Sequence, residues 1–329
     1  MSDQPLVSVV LPFHNAPNLH IAIESILAQT HSLFELILVD NNGTEASGEI
    51  AEGYAKEDRV RLIKEPKQGV VFAMNQGIRN AQGSFVARMD ADDFSFPDRL
   101  ESQLRAFALD PELGVVSGGV EYHGAAEFEG FRQYVAWLNQ IRTNYEISLN
   151  QFVEFPLVNP SLMFRSSLFR RFGVYEEGDF PEDYAFFLRL QQHGVKMQKV
   201  SNTVLRWSDS PGRLTRVDQR YSTDAFFRVK AEYLAVWLKE KNPHHPDILV
   251  WGAGRLSRKR SAYLKDFEIK ITGYIDVVQK KDRIHFEQIP PKETCFIVSY
   301  VANRGAREEI RSFLVAKGFQ EGTHFILAS

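Results

Sequence analysis

Arg88-Met89-Asp90-Ala91-Asp92-Asp93 places three carboxylates within four residues, directly after the apolar run Phe85-Val86-Ala87. Carboxylates this close repel and raise one another's pKa, so a strand end that delivers them into a loop needs a positive charge nearby. A divalent cation meets that need, and an all-oxygen ligand set favours Mg2+ or Mn2+ over Zn2+. The same residues also suit a turn or a helix cap, where Asp is common. What flanks the stretch decides between these readings.

Upstream, strand and helix patterns alternate. Residues 7–11 form a continuous apolar run with β-branched members, the mark of a buried parallel strand, and it ends at Pro12-Phe13-His14-Asn15. Leu19, Ile23, Ile26 and Leu27 recur at helical spacing. Residues 36–39 read as a second strand that closes on the turn signal Asp40-Asn41-Asn42-Gly43. A helix near 46–56, a strand at 60–63, a helix at 70–80 and a strand at 84–89 follow. This order predicts an α/β fold, a mostly parallel sheet with helices on both faces. Ligands of such sheets bind at the carboxyl ends of the strands, where Asp40 and Asp90 both fall.

The middle is less regular. The patterns predict a strand at 115–120, a helix at 131–149, a strand at 159–164, a helix at 182–193, a turn at Pro211-Gly212 and a long amphipathic helix at 221–241. After the break Asn242-Pro243-His244-His245-Pro246 a second βαβ pattern begins. It has a strand at 248–250, the loop Trp251-Gly252-Ala253-Gly254, a basic helix through Leu264, a strand at 269–275 ending at Asp276, a strand at 294–301 and a helix at 304–317. The expected division is a first domain over 1–215, a helical linker over 216–246 and a second domain over 247–329.

Composition narrows the function classes. The 329 residues carry a net charge of −3, which leaves no electrostatic footprint for nucleic acid. The single cysteine, Cys295, rules out an intramolecular disulfide and fits a reducing compartment. Met1-Ser2-Asp3-Gln4-Pro5 lacks a signal-peptide pattern, and no apolar run is long enough to span a bilayer. The expectation is a soluble cytoplasmic protein. Peripheral association with the inner membrane face and self-association both stay open.

Several blocks together carry a family resemblance. Val7 through Asn15 resembles the opening strand of family 2 glycosyltransferases, which have the GT-A fold. Leu36-Ile37-Leu38-Val39-Asp40-Asn41 resembles their second strand, and the segment from Asn75 to Asp93, with Gly77, Ala81 and Gly83, resembles the one leading into a metal-binding D-x-D. Phe96-Pro97-Asp98-Arg99-Leu100 resembles the segment after it, and Phe180 through Leu190 is similar to the block that carries the catalytic base. The resemblance covers about the first two-thirds of the chain.

It implies a site. Asp92 is the first choice of metal ligand, with Asp90 directed to the ribose or to the metal through water. Asp93 is either a third ligand or the cap of a helix beginning near Pro97. The ion would be Mg2+ or Mn2+, held across the diphosphate of a nucleotide sugar. Asp40 would accept from a base N–H, which suits uracil, and otherwise forms a turn with Asn41. Pro12, His14, Asn15, Asn75, Arg88 and Arg206 complete the nucleotide-sugar contacts, with His14 as a wall. Asp183 would be the general base and Glu182 its support; their alternative is a helix N-terminus rich in acids. One base with no separate nucleophile implies a single displacement that inverts the anomeric carbon. Two departures stand out. Met74 occupies the position before Asn75 where the family often has Arg, leaving Lys67, Arg79 or Arg88 to replace it. The basic segment over the diphosphate has its nearest match in Leu205 through Arg216, with Arg206 and Arg213 as phosphate partners and Trp207 either stacking on a sugar or packing.

The second domain resembles small Rossmann-like domains that accompany sugar-modifying enzymes. Its glycine fingerprint is incomplete, because Ser257 stands at the third glycine position. Nucleotide binding, assembly and a structural remnant all remain open for it. The expected activity is metal-dependent inverting transfer of a sugar from a nucleotide-diphosphate sugar, with UDP the favoured nucleotide. The acceptor would be a glycan, or a lipid-linked or surface-polysaccharide intermediate. One rival is a sugar nucleotidyltransferase, which would need a Gly-rich basic loop where Pro12-Phe13-His14-Asn15 stands. The other is a nucleotide-binding regulatory protein acting through Gly252 and Gly254.

Overall fold

The computed structural model describes residues 4–124, 129–209 and 213–329; the turn expected at Pro211-Gly212 lies outside the described residues. The chain forms two compact units. The first gathers Met1–Ile147, Leu157–Glu177 and His193–Arg213, and the second Ser148–Pro156, Gly178–Gln192 and Leu214–Ser329. A single linear boundary near 215 therefore does not describe the partition. Packing explains why. Tyr184, on the helix Glu182–Gln192, sets its ring 5.6 Å from Phe226 and donates its hydroxyl to the Gln151 carbonyl at 2.6 Å. The helix Thr223–Lys241, expected as a linker, buries Phe227, Ala231, Leu234 and Leu238 within the second unit.

In the first unit, β1 (Val7–Phe13), β2 (Phe34–Asp40), β3 (Val60–Lys64), β4 (Phe85–Arg88), β5 (Phe94–Ser95), β6 (Leu113–His123), β7 (Met163–Arg165) and β8 (Lys196–Ser208) form one sheet in the order β3-β2-β1-β4-β7-β6-β8-β5. β1, β2, β3 and β4 pair in parallel, with Phe13 beside Asp40 and Val10 beside Arg88. Asp40 and the 90–93 stretch thus leave the sheet at the same edge, on the two sides of β1. The helix Val70–Asn80 packs so tightly on this sheet that a Cβ on Gly77 would lie 2.2 Å from Val10 Cγ1.

The irregular middle departs from expectation. The stretch 131–149 is two helices, Glu129–Gln140 and Asn144–Asn150. Thr143 and Glu146 form a capping box that starts the second: Glu146 N–H donates to Thr143 Oγ1 at 3.2 Å, and Thr143 N–H to Glu146 Oε2 at 2.9 Å. The strand expected at 159–164 is a 3-10 turn, Asn159–Ser161, followed by β7. Pro160 has no N–H to offer a strand ladder there. The long β8 was not anticipated, because exposed polar residues at 201–203 interrupt its apolar pattern.

The second unit holds β9 (Asp247–Trp251), β10 (Lys270–Asp276), β11 (Ile284–His285), β12 (Ile297–Ser299) and β13 (Phe325–Leu327) in the order β11-β10-β9-β12-β13. All four pairings are parallel. The basic helix, Arg255–Ala262, stops short of Leu264 and passes into a 3-10 turn, Tyr263–Phe267. No helix among the described residues is long and apolar enough to cross a membrane.

Two buried lysines give the fold a pH dependence. Burial pushes Lys199 down to about 7, where its ammonium donates to the Leu138 carbonyl at 2.6 Å. Burial likewise pushes Lys230 down to about 7, against the opposing pull of Glu154; it donates to the carbonyls of Val153 and Ala328. An unfolded lysine titrates near 10.4. Between about pH 7 and 10 the unfolded chain therefore binds more protons, and stability rises with pH. Urea midpoints should increase from pH 7 to 9, and Lys199→Met with Lys230→Met should flatten that rise; an unchanged slope would refute the assignment.

Candidate functional site

β4 delivers the aspartates from a buried base. Arg88 is 5% exposed, and its Nε donates to Asp90 Oδ1 at 2.9 Å. The Asp93 N–H donates to the Asp90 carbonyl at 3.3 Å and closes the turn. Asp93 is 2% exposed; its Oδ1 accepts the Ser208 N–H at 2.7 Å, while the buried Oδ2 meets no donor among the described residues. Asp93 is therefore no helix cap, since the helix Arg99–Leu109 begins behind Asp98. Burial raises the Asp93 carboxyl well above the ordinary range, and the charges of Asp92 and Asp90 add to the effect. Asp92 still reaches solvent, yet the protein around it raises its carboxyl too, with the Asp90 charge second. Beneath them Arg99 is fully buried and donates Nη2 to the Arg88 carbonyl at 2.7 Å. Burial brings its pKa down to about 10, with Asp93 and Asp90 pulling the other way.

The end of β8 adds groups that the sequence marked only loosely. Asp209 Oδ2 accepts the Tyr122 hydroxyl at 2.8 Å. Arg213 stands 3.7 Å from the Asp209 carboxylate, with its guanidinium 4.3 Å from the Trp207 ring centroid and 5.6 Å from that of Phe131. Its Nη1 is buried with no hydrogen-bond acceptor among the described residues. Its charge lowers the carboxyls of both Asp92 and Asp93, only partly offsetting burial. Arg206 points elsewhere: it pairs with Glu121 at 3.0 Å on the surface, over the rings of Phe94 and Phe96. Successive strand residues face opposite sides, so Arg206 and Trp207 cannot both line the aspartate side. Trp207 packs, 8% exposed, and carries Arg213.

At the β2 edge, Asp40 Oδ1 accepts the Gly43 N–H at 2.7 Å, so the turn partner is Gly43 and not Asn41. Asn41 ties the neighbouring loop instead, donating to the Glu65 and Lys67 carbonyls and accepting from the Gly69 N–H. His14 Nδ1 lies 3.1 Å from the Asn41 carbonyl; His14 and Asn15 are exposed and Pro12 is half-buried in β1. Asn75 is committed to the protein's own backbone. It is 5% exposed, donates to the Tyr175 carbonyl at 2.8 Å and accepts the Tyr175 N–H at 3.1 Å, which makes it a brace between two backbone segments. Lys67, a candidate replacement for the cation missing at Met74, is exposed, paired with Glu177 at 3.0 Å, and set over the Phe72 ring.

In the second unit, Glu182 and Asp183 open the helix Glu182–Gln192, where the macrodipole favours acids. Glu182 is 3% exposed and accepts the Tyr221 hydroxyl at 2.7 Å. Asp183 Oδ1 accepts the Tyr184 N–H at 2.7 Å from a half-buried position.

Among the described residues no three His, Cys, Asp or Glu side chains converge into a closed metal site. An Mg2+-type ion does not need one, because it takes one or two carboxylates and completes its shell with water and phosphate oxygens. Asp92 and the unpartnered Asp93 Oδ2 fit that partial role.

Residues 8–173, just over half of the chain, match the model of "Glycosyl transferase family 2". The chain is 28% identical over 247 residues to the bifunctional glycosyltransferase pgtA of Dictyostelium discoideum; the match takes in 62% of this chain and 32% of pgtA, so it spans about a third of that relative. Among solved structures it is similar to S. aureus TarS 1-349 in complex with UDP-GlcNAc, with a TM-score of 0.55 at 16% identity over 80% of this chain and 71% of that one. It is also similar to the mannosyltransferase PcManGT from Pyrobaculum calidifontis in complex with GDP-Man and Mn2+, with a TM-score of 0.50 at 19% identity over 73% of this chain and 65% of that one.

Proposed function

Because the chain belongs to glycosyl transferase family 2 and has the GT-A fold, with a second, parallel sheet beyond it, we propose that it transfers a sugar from a nucleotide-diphosphate sugar to a glycan or lipid-linked acceptor, with inversion. One observation carries this reading most of the way. Among the described residues Asp93 Oδ2 is a buried carboxylate oxygen without a donor and Arg213 Nη1 a buried guanidinium nitrogen without an acceptor, and the Arg213 charge acts on the Asp93 carboxyl. The first invites a cation and the second an anion, and a metal diphosphate offers both. Asp92 and Asp93 would hold the ion, and Arg88 keeps Asp90 oriented beside them. A divalent ion bound there supplies Lewis-acid stabilisation of the leaving diphosphate. TarS in complex with UDP-GlcNAc and PcManGT in complex with GDP-Man and Mn2+ support a nucleotide-sugar donor and a divalent ion. The preference for UDP rests on Asp40 at the β2 edge, where a carboxylate suits a base N–H. Arg213 replaces Arg206 as the phosphate partner.

Asp183 takes the proton of the acceptor hydroxyl as it attacks, a role that rests on the block 180–190 and on its place at a helix N-terminus. Glu182, held by Tyr221, fixes the start of that helix. The second sheet is an accessory domain of Rossmann-like type. Screening nucleotide sugars for hydrolysis with Mn2+ and with EDTA tests the whole reading. Hydrolysis of none, or hydrolysis indifferent to EDTA, would overturn it. Arg213→Met should raise the donor KM about 10- to 100-fold, the loss of one charge-assisted bond to phosphate, with Tm nearly unchanged. An unchanged donor KM would return Arg213 to a packing role.

A further inference from the structure

In the first unit β6 and β8 run side by side to their ends, with Tyr122 opposite Trp207 and His123 opposite Ser208. One residue on, the Asp209 N–H donates to the His123 carbonyl at 2.8 Å, so the strand ladder fixes where Asp209 stands. The Asp209 side chain is fully buried. A carboxylate in that position is costly unless it is paired or hydrogen-bonded. Arg213 is the cation within its reach, and such a pair ordinarily closes to a direct bond of about 2.7–2.9 Å. This one stays open. The two approach no closer than 3.7 Å, and Arg213 Nη1 has no acceptor among the described residues. Asp209 Oδ2 instead accepts the Tyr122 hydroxyl at 2.8 Å.

The surroundings are built for this arrangement. Gly124 follows the end of β6, and its φ is not left-handed, so its backbone does not call for glycine. Space does: a Cβ there would collide with the Tyr122 hydroxyl and lie 2.9 Å from Asp209 Cβ. The rings of Trp207 and Phe131 hold the Arg213 guanidinium at 4.3 and 5.6 Å, contacts that call for no hydrogen-bond acceptor. The same strand end meets the acidic loop, because the Ser208 N–H donates to Asp93 Oδ1 at 2.7 Å. The Arg213 charge acts on Asp92 and Asp93 alike.

We propose that Tyr122 is a positioning residue for donor binding: by engaging Asp209 it keeps that carboxylate from closing on Arg213, and so leaves the guanidinium available to the phosphates of a nucleotide diphosphate. The inference rests on the reading of Arg213 as the phosphate partner. Without the hydroxyl, Asp209 loses a donor in a buried place and Arg213 is there to replace it. Once that pair closes, phosphate competes with Asp209 for the same N–H groups.

The test is calorimetric titration of the full chain with UDP and with GDP in the presence of Mn2+. Tyr122→Phe should weaken binding about three- to tenfold, the scale of one hydrogen bond. Gly124→Ala, which crowds the hydroxyl without removing it, should weaken binding in the same direction. In an Arg213→Met background neither change should shift the affinity by more than about twofold, because the residue they act through is gone. In turnover of a nucleotide sugar with Mn2+, the loss in Tyr122→Phe should fall on the donor KM, with kcat held within about twofold. Unchanged or tighter binding in Tyr122→Phe, or a loss that persists in full beside Arg213→Met, would overturn the proposal and leave Tyr122 as a tie between β6 and β8. A wild type that binds neither nucleotide with Mn2+ would overturn the donor reading, and this proposal with it.

Discussion

Asp92→Asn should cut metal-activated transfer by about 10³-fold or more in kcat/KM, a loss of about 4 kcal/mol of transition-state stabilisation. The substitution keeps the shape of the side chain and removes the charge that a cation across the diphosphate would use. Its effect on stability should run the other way. Burial, and then the Asp90 charge, raise the Asp92 carboxyl, and burial raises that of Asp93 further. A carboxyl whose folded pKa lies above its unfolded value binds more protons in the folded state. Stability is then lost as pH rises from the unfolded value through the folded one. The metal-free protein should therefore gain Tm as pH falls from neutral into that window, and Asp92→Asn should reduce the gain while matching or exceeding the wild-type Tm at pH 7. Mn2+ affinity, read by the loss of the free-ion paramagnetic resonance signal, should fall in the variant. Wild-type activity in Asp92→Asn, or a lower Tm at pH 7, would mean that Asp92 braces the loop and holds no metal.

The elements that set up this chemistry were largely legible in the sequence, and the groups that finish it were not. β1, β2 and β4 are buried on both faces, so they read as unbroken apolar runs, and their ends put Asp40 and the 90–93 stretch at one edge. The capping box at Thr143 and Glu146 was also written in the chain, but the apolar pattern ran across it and suggested one helix where there are two. Arg213 and Asp209 could not be read in the same way. Their importance comes from β8 running beside β6, which brings Tyr122 and Asp209 together and sets Ser208 against Asp93. Strand pairing over more than eighty residues leaves no local periodic trace. Asn75 shows the opposite error: a motif position suggested a ligand contact, whereas both ends of its amide bind the backbone of Tyr175. Composition likewise gave no warning that 148–156 and 178–192 belong with the C-terminal sheet, because that depends on which ring meets which, as Tyr184 meets Phe226.

Asp183→Asn should lower kcat by 10²- to 10⁴-fold, the range expected when a positioned proton acceptor is lost. UDP affinity should stay within about twofold, since a base that acts on the acceptor hydroxyl contributes little to holding the nucleotide. The variant is conservative in the contact with the helix start: an Asn carbonyl can still accept the Tyr184 N–H that Asp183 Oδ1 accepts at 2.7 Å. The helix start should therefore survive, and with it the Tm. Glu182→Gln is the matched control. Its amide oxygen can still take the Tyr221 hydroxyl, so transfer should fall far less than in Asp183→Asn. Proton NMR of the product, followed from the first turnovers of the wild type, should show the anomeric configuration opposite to that of the donor, because one base without a nucleophile allows a single displacement. Retained configuration would require a covalent or paired mechanism and would remove Asp183 from the role of base. If Asp183→Asn lost UDP binding together with transfer, the carboxylate would be scaffold; if it kept transfer, the proton would leave by another route.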